Sequence, residues 1–167
     1  LPIGNFTSQW FANLYLSHFD WWAKQELKVE HYVRYIDDIV VLHGNKKKLH
    51  SIRHDMEQKL QKELNLKIKH NWQVFKVDSR GVDFLGYRFF HGYTLIRKHT
   101  AYRIATRIRR IGQKTFLTPS DASSAMSYLG ITSHCNSFNF LRHRVLPFLS
   151  IAHCKGVHRE ACKAFAS

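Results

Sequence analysis

The spacing of apolar residues along the chain predicts two long amphipathic helices. The first would begin at Thr7 or Ser8 and run to about Lys28, with one face buried. The residues of that face are Phe11, Leu14, Tyr15, Phe19 and Trp22. The second helix would begin after the capping residue Asn45. Apolar residues recur at every third or fourth position and form a stripe along one face. Its stripe consists of Leu49, Ile52, Met56, Leu60 and Leu64.

A β-hairpin is predicted between the two helices, and further strands after the second one. The runs Tyr32–Ile36 and Ile39–Leu42 form the hairpin, and the second run is apolar on both faces, as in a strand inside a sheet. The later runs are rich in β-forming residues and are separated by turn residues. They are Leu66–Lys69, Gln73–Val77, Val82–Phe90 and Tyr93–Ile96, the last two forming a hairpin.

From Arg97 onward the chain becomes strongly basic. Seven cations precede the next acidic residue, Asp121, so they are expected to be uncompensated. They are Arg97, Lys98, Arg103, Arg107, Arg109, Arg110 and Lys114. An apolar stripe of Ile104, Ile108 and Ile111 predicts a helix here, with the cations spread over its remaining surface.

After Thr118, which is a typical capping residue, the sequence predicts short helices from 122 to 165. Pro147 and Gly156 are expected to interrupt them. The order of elements therefore predicts an α+β fold. We expect an antiparallel sheet with packed helices in residues 1–96 and a small basic helical domain in residues 97–167.

Composition narrows the class of protein. Lys and Arg total 26 against 12 Asp and Glu, and the formal charge of +14 favours a polyanionic partner. A hydrophobic content of 44% excludes a disordered basic tail. No apolar run approaches the roughly 20 residues of a membrane span, and no signal segment opens the chain, so we expect a cytoplasmic protein without a membrane partner.

Cysteine and histidine content raises the alternative of a zinc site. Three cysteines, an odd number, argue against a disulfide framework. Cys154, His158 and Cys162 share one side of a continuous helix, and His134-Cys135 would complete a tetrad. Without a paired C-x-x-C motif, however, buried thiols and surface histidines account for these residues, and we predict no zinc.

Asp37 and Asp38 are the strongest candidates for catalysis. Two adjacent carboxylates at a hairpin turn repel each other unless a cation compensates them. Magnesium favours a few carboxylates together with substrate phosphates, which indicates nucleotidyl transfer. The alternative is an ordinary acidic turn, since Asp suits turn geometry.

Three motifs resemble those of reverse transcriptases. Residues 2–9, Pro-Ile-Gly-Asn-Phe-Thr-Ser-Gln, with residues 11–16 and Asp20 behind them, resemble the B motif of the reverse transcriptases of diversity-generating retroelements. Tyr35–Asp38 is similar to the C motif, and Gly81–Tyr87 to the E motif, or primer grip. Most other reverse transcriptases carry Gln at the position of Ile3, so the aliphatic residue favours this subgroup.

The resemblance covers residues 1 to about 97 and implies the function. It implies an RNA-directed DNA polymerase, encoded by a bacterium or phage, with the C-terminal part of the palm in residues 1–96 and the thumb in residues 97–167. Its expected partners are an RNA template, a DNA primer and product, dNTPs, two Mg²⁺ ions and, as a further candidate, a basic accessory protein. The whole enzyme would make mutated cDNA from a template-repeat RNA.

The resemblance also assigns roles to residues. Asp37 would be the shared metal ligand and Asp38 an accessory one. The residues at the nucleotide and template would be Ile3, Gly4, Asn5, Ser8, Gln9 and Tyr35. The primer grip would consist of Phe84, Leu85, Gly86 and Tyr87. The contacts to the nucleic-acid backbone would come from Arg97, Lys98, Arg103, Arg107, Arg110 and Lys114.

Two features depart from the family pattern. The family requires an A-motif aspartate upstream of the B motif, so we expect the chain from Leu1 to be a fragment that cannot polymerise alone. A D-motif lysine is expected near Trp72, and Lys69 and Lys76 are the nearest candidates. The alternatives are a retron, group II intron or phage-defence reverse transcriptase, and a non-catalytic RNA-binding remnant of a decayed element.

Overall fold

The computed structural model describes residues 6–166 of the chain, and within them lie seven helices and five strands. The elements are α1 Phe6–Gln25, β1 His31–Tyr35, β2 Asp38–Leu42, α2 Lys46–Leu64, α3 Val77–Arg80, β3 Val82–Phe84, β4 Tyr87–Phe89, β5 Thr94–Ile96, α4 Lys98–Gly112, α5 Pro119–Thr132, α6 Phe138–Arg144 and α7 Ile151–Ala166. The strands pair antiparallel as β1-β2 and as β3-β4-β5. The predicted α+β class is confirmed.

The chain divides into two compact units, Leu1–Phe75 and Lys76–Ser167. The hairpin strands β3, β4 and β5 therefore belong to the same unit as the basic helix α4. The assignment of residues 1–96 to a palm and 97–167 to a thumb concerns function rather than compactness, and it stays a prediction.

The core of the first unit lies where α1 and α2 pack on the β1-β2 hairpin. Its buried residues are Phe19, Ala23, Val29, Tyr32, Ile52, Met56 and Leu60. The predicted cap of α2 is confirmed, because the Asn45 side chain accepts hydrogen bonds from the backbone N–H groups of Lys47 and Lys48. Asn65, with φ of 51°, ends this helix in the left-handed conformation.

The predicted buried face of α1 is wrong in its first half. Phe19 is buried, but Phe11, Leu14 and Tyr15 are 55%, 69% and 52% exposed. The core of this unit reaches only the C-terminal half of α1 within residues 6–166, so helical spacing alone overstates the burial. The helix also ends at Gln25, because Lys28 has a φ of 53°, which a right-handed helix excludes.

Several predicted strands are absent from the described part of the chain. Residues 65–69 and 72–76 have no regular structure, since a run of β-forming residues needs a neighbouring strand to satisfy its backbone groups. The prediction that β2 lies inside a sheet is also wrong. Within residues 6–166, β2 pairs with β1 alone. The predicted strand Val82–Phe90 is split by a turn into β3 and β4, whereas the predicted pairing of its second half with Thr94–Ile96 is confirmed.

The core of the second unit is built on the predicted isoleucine stripe. Ile104, Ile108 and Ile111 are at most 2% exposed. They pack with Ala125, Val145, Leu149 and Cys154. Thr118 caps α5, as predicted, by accepting a hydrogen bond from the Asp121 N–H. The predicted break at Gly156 is wrong, since α7 continues through it; one glycine costs a helix only about 1 kcal/mol.

Two helical glycines give a matched test of this packing. A Cβ on Gly112, at the end of α4, would overlap the backbone carbonyl of Phe148, whereas a Cβ on Gly130 in α5 would meet nothing within 4 Å. We expect Gly112→Ala to lower the free energy of unfolding by about 1–3 kcal/mol. Gly130→Ala should leave it unchanged or raise it by up to about 1 kcal/mol. Urea unfolding measures both, and equal effects would contradict the packing described here.

Candidate active site

The two adjacent aspartates lie at an open, tight turn. Tyr35 pairs with Asp38, which leaves Ile36 and Asp37 as a two-residue loop. Ile36 has a φ of 54°, a left-handed conformation that is costly for a β-branched residue. Both aspartates are exposed, and the Asp37 side chain is 68% accessible. The turn therefore presents two carboxylates to solvent and is not enclosed by the core.

Lys69 is the cation beside this turn. Its Nζ donates a hydrogen bond to Oδ2 of Asp37 at 3.2 Å, and its side chain is 75% exposed. This hydrogen bond holds the pKa of the Asp37 carboxyl below its ordinary value. Such an exposed ion pair contributes only about 0–1 kcal/mol, so a more strongly charged cation can displace the lysine. Asp37 is thus ionised at neutral pH and accessible.

A partly buried arginine lies directly behind the turn. The Arg34 side chain is 9% exposed, and its Nε and Nη2 donate to the two carboxylate oxygens of Asp20 at 2.7 and 2.6 Å. The Tyr32 hydroxyl donates to Oδ1 of Asp20 at 2.6 Å. Burial raises the pKa of Asp20, but the hydrogen bonds from Arg34 and Tyr32 outweigh it and lower the pKa overall. Sequence reasoning placed Asp20 in a motif but missed Arg34, whose only signal was a charge inside an apolar strand.

The carboxylate pair suits a divalent cation that is shared with a substrate. In the part of the chain that the structure describes, no group of three or more His, Cys, Asp or Glu residues could hold a metal ion. Magnesium commonly uses only one or two protein carboxylates together with substrate phosphates and water. Asp37 and Asp38, both exposed acidic groups on one hairpin, fit that donor set.

The remaining residues predicted to contact the nucleotide or template are only partly described. Ile3, Gly4 and Asn5 lie outside the described residues. Ser8 and Gln9 lie in the first turns of α1. Tyr35 is 53% exposed and immediately precedes the turn.

The predicted primer grip forms a second tight turn. Phe84 pairs with Tyr87, so Leu85 and Gly86 form a two-residue loop with φ values of 51° and 86°. Leu85 is 48% exposed at this tip. The Tyr87 hydroxyl donates to the backbone carbonyl of Ile131 in α5 at 2.9 Å. The tip is thus open to a ligand, while Tyr87 anchors the hairpin to α5.

The seven cations from Arg97 to Lys114 are not all uncompensated, and that expectation is wrong for three of them. The Arg97 Nε donates to Oδ1 of Asp83 at 2.7 Å. Lys114 donates to the buried carboxylate of Asp121 at 2.6 Å, and an Arg107 nitrogen lies 3.8 Å from the same group. Both acids lie outside the basic run, so only the fold could bring them to it.

Four cations of α4 remain exposed. They are Lys98, Arg103, Arg109 and Arg110. The Arg109 guanidinium lies 5.1 Å from the ring centre of Phe148, which holds it against the protein. The predicted contacts to a nucleic-acid backbone are therefore of two kinds. Arg97, Arg107 and Lys114 have structural partners, whereas Lys98, Arg103 and Arg110 extend into solvent.

A comparison with protein families decides the class. The family model for reverse transcriptase (RNA-dependent DNA polymerase) matches residues 1–89, more than half of the chain. The chain belongs to the reverse transcriptase family. The matched region includes both the aspartate turn and the Leu85-Gly86 turn. A search of curated proteins gave no match. Within the described residues, no helix is long and apolar enough to cross a membrane.

The buried carboxylate of Asp121 predicts a pH-dependent stability for this chain. Asp121 is 3% exposed, and the hydrogen bond from Lys114, then that from Thr118, lowers its pKa in the folded state. Its contribution is therefore complete above the ordinary Asp pKa near 4 and is lost as the pH falls through the lower folded value. We expect Asp121→Asn to cost about 1–3 kcal/mol at neutral pH.

Urea unfolding at several pH values between about 6 and 3 checks this prediction. The difference between the wild type and Asp121→Asn should shrink as the pH falls. Asp78→Asn is the matched control, because the Asp78 side chain is 76% exposed, and its effect should stay within about 0.5 kcal/mol. A difference for Asp121→Asn that is constant over the pH range would contradict the prediction.

Proposed function

We propose that this chain forms the metal-binding, primer-contacting and duplex-contacting parts of an RNA-directed DNA polymerase. Residues 1–96 would be the C-terminal part of the palm, and residues 97–167 the thumb. The observation that supports this most is the exposed Asp37-Asp38 turn in a chain of the reverse transcriptase family. Its substrates are an RNA template, a DNA primer and dNTPs.

In this proposal the carboxylates of Asp37 and Asp38 hold Mg²⁺. When bound, the metal would supply activation of the primer 3′-hydroxyl and stabilisation of the charge that develops on the transferred phosphate. Asp37 is ionised at neutral pH and so binds without having to lose a proton. Lys69, displaced from Asp37, is then free to donate a proton to the leaving pyrophosphate. The contact between Lys69 and Asp37 supports Lys69 over Lys76 for this role.

We also propose the subgroup. An aliphatic residue at Ile3, with Ser8 and Gln9 following, favours a polymerase of diversity-generating retroelements, which copies a template RNA into mutated cDNA. Ile3 cannot donate a hydrogen bond to the nascent base pair, and this would relax geometric checking during copying. A retron, group II intron or phage-defence enzyme is the alternative within the family. Adenine-biased errors in the cDNA would separate the subgroups.

Primer extension by the complete gene product tests the catalytic assignment. Metal ligation supplies several kcal/mol of transition-state stabilisation, and each step of about 1.4 kcal/mol is tenfold in rate, so Asp37→Ala should lower the rate at least about 100-fold. Asp38→Ala should also lower it. Asp78→Ala removes an exposed carboxylate of the other unit and should leave the rate unchanged.

Undiminished synthesis by both Asp37→Ala and Asp38→Ala would reject the assignment. A complete gene product that binds RNA but makes no cDNA, with or without these substitutions, would favour the non-catalytic RNA-binding remnant.

The exposed cations of α4 predict a salt-dependent affinity for a template-primer duplex. Each phosphate contact contributes roughly 0.7–0.9 to the slope of log affinity against log salt concentration. Arg103→Ala and Arg110→Ala should therefore each reduce this slope by about that amount. Lys47→Ala is the charge-matched control, since Lys47 is exposed on α2, and it should leave the slope unchanged. Fluorescence anisotropy at several salt concentrations measures the slope, and equal slopes for all variants would contradict the proposal.

A further inference from the structure

Arg34 makes hydrogen bonds in addition to its ion pair with Asp20, which joins a helix to a strand. Beyond its hydrogen bonds to Asp20, its Nη1 donates to the backbone carbonyl of Ile36 at 2.7 Å and to Oδ1 of Asn13 at 3.2 Å. The guanidinium thus joins two positions of α1 to the carbonyl that precedes Asp37. The peptide unit that joins Ile36 to Asp37, the candidate metal ligand, is therefore held by a hydrogen bond from Arg34.

The Asp20–Arg34 pair is rigid enough to act as a brace. Arg34 uses the planar fork of the guanidinium to bind both oxygens of Asp20, a geometry that fixes direction as well as distance. The Asp20 side chain is only 27% exposed, and it is held from a second side by the Tyr32 hydroxyl. The third nitrogen of the guanidinium, Nη1, is consequently held in one place.

The turn needs such a brace. Ile36 is a β-branched residue in the left-handed region, and this conformation persists only where surrounding contacts enforce it. Two-residue hairpin loops usually place Gly, Asn or Asp at such positions. Because the bond to Arg34 is charge-assisted, it is stronger than an ordinary backbone hydrogen bond. The hydrogen bonds from Arg34 to Asp20 would be enough to dock α1 on the hairpin. The hydrogen bond from Arg34 to the Ile36 carbonyl therefore has a separate effect on the turn.

We propose that Arg34 is a positioning residue that holds the Ile36 carbonyl, and through it the turn, in the conformation that presents Asp37 to the metal and substrate. The inference rests on the proposed function for its effect on catalysis. Its structural part, the control of the turn by Arg34, does not.

Arg34→Lys is the informative variant. An ammonium group keeps the charge and can still pair with Asp20, but it cannot also reach the Ile36 carbonyl through a planar fork. Arg53→Lys is the matched control, because Arg53 of the same unit is 25% exposed, and its ion pair with Glu57 and its cation–π contact with the Trp72 ring do not involve residues of the turn. Asp20→Asn weakens the ion pair with Arg34 and should act in the same direction as Arg34→Lys.

Hydrogen–deuterium exchange of the whole protein gives a readout that does not depend on activity. In Arg34→Lys we expect faster exchange in peptides covering residues 35–40 and unchanged exchange in the core of α2, around Ile52 and Met56. Arg53→Lys should leave the turn unchanged. Faster exchange throughout the first unit would mean that Arg34 serves only general stability, and unchanged exchange at the turn would also overturn the inference.

Primer extension by the complete gene product gives the second readout. A displacement of a reacting group by about 1 Å can cost roughly 100-fold, so we expect Arg34→Lys to lower kcat about 10- to 100-fold. The KM for dNTP should change less, and more Mg²⁺ should be needed for half-maximal rate. An unchanged kcat and Mg²⁺ requirement would overturn the catalytic part. If both Asp37→Ala and Asp38→Ala retained full synthesis, the proposed function would fail, while the exchange result would still decide whether Arg34 controls the turn.

Discussion

The partly buried ion pair between Arg34 and Asp20 is the interaction on which the candidate active site depends. It joins α1 to the β1-β2 hairpin, and the same guanidinium reaches the carbonyl of Ile36 at the turn. A two-residue loop with a β-branched residue in the left-handed region would otherwise relax to an easier conformation. The exposed carboxylates of Asp37 and Asp38 are thus held by a contact that lies inside the unit. The second turn is supported in a similar way. Leu85 lies in the left-handed region at an exposed turn, and the nearby Tyr87 is hydrogen-bonded to α5.

The cations of the second unit fall into two groups. Asp83 and Asp121 bind Arg97 and Lys114, so part of the basic run stabilises the fold. The other cations of α4 lie on the surface opposite its isoleucine stripe. A net charge of +14 therefore overstates the number of cations available to a polyanion. It still leaves enough of them on one helix face to support binding to a nucleic-acid backbone.

Prediction from sequence succeeded where the determining forces are local and failed where they depend on a distant partner. The cap at Asn45 and the isoleucine stripe of α4 rest on neighbours within a few residues, and both are confirmed. The exposure of Leu14 in α1 was missed, because helical spacing does not reveal whether anything packs on a face. The runs 66–69 and 73–77 have β-forming composition, but a strand also needs a partner that composition does not supply.

The sequence by itself determined the α+β class, the hairpin that carries two carboxylates at and beside its turn, and the motifs that match the reverse transcriptase family. Each of these depends on residues that are adjacent or a few positions apart. Only the tertiary structure decided that Arg34 braces the turn, that Lys69 lies against Asp37 and that Asp121 takes up Lys114. The physical reason is that a charged side chain acquires its partner from folding, across 32 residues in the case of Lys69 and Asp37.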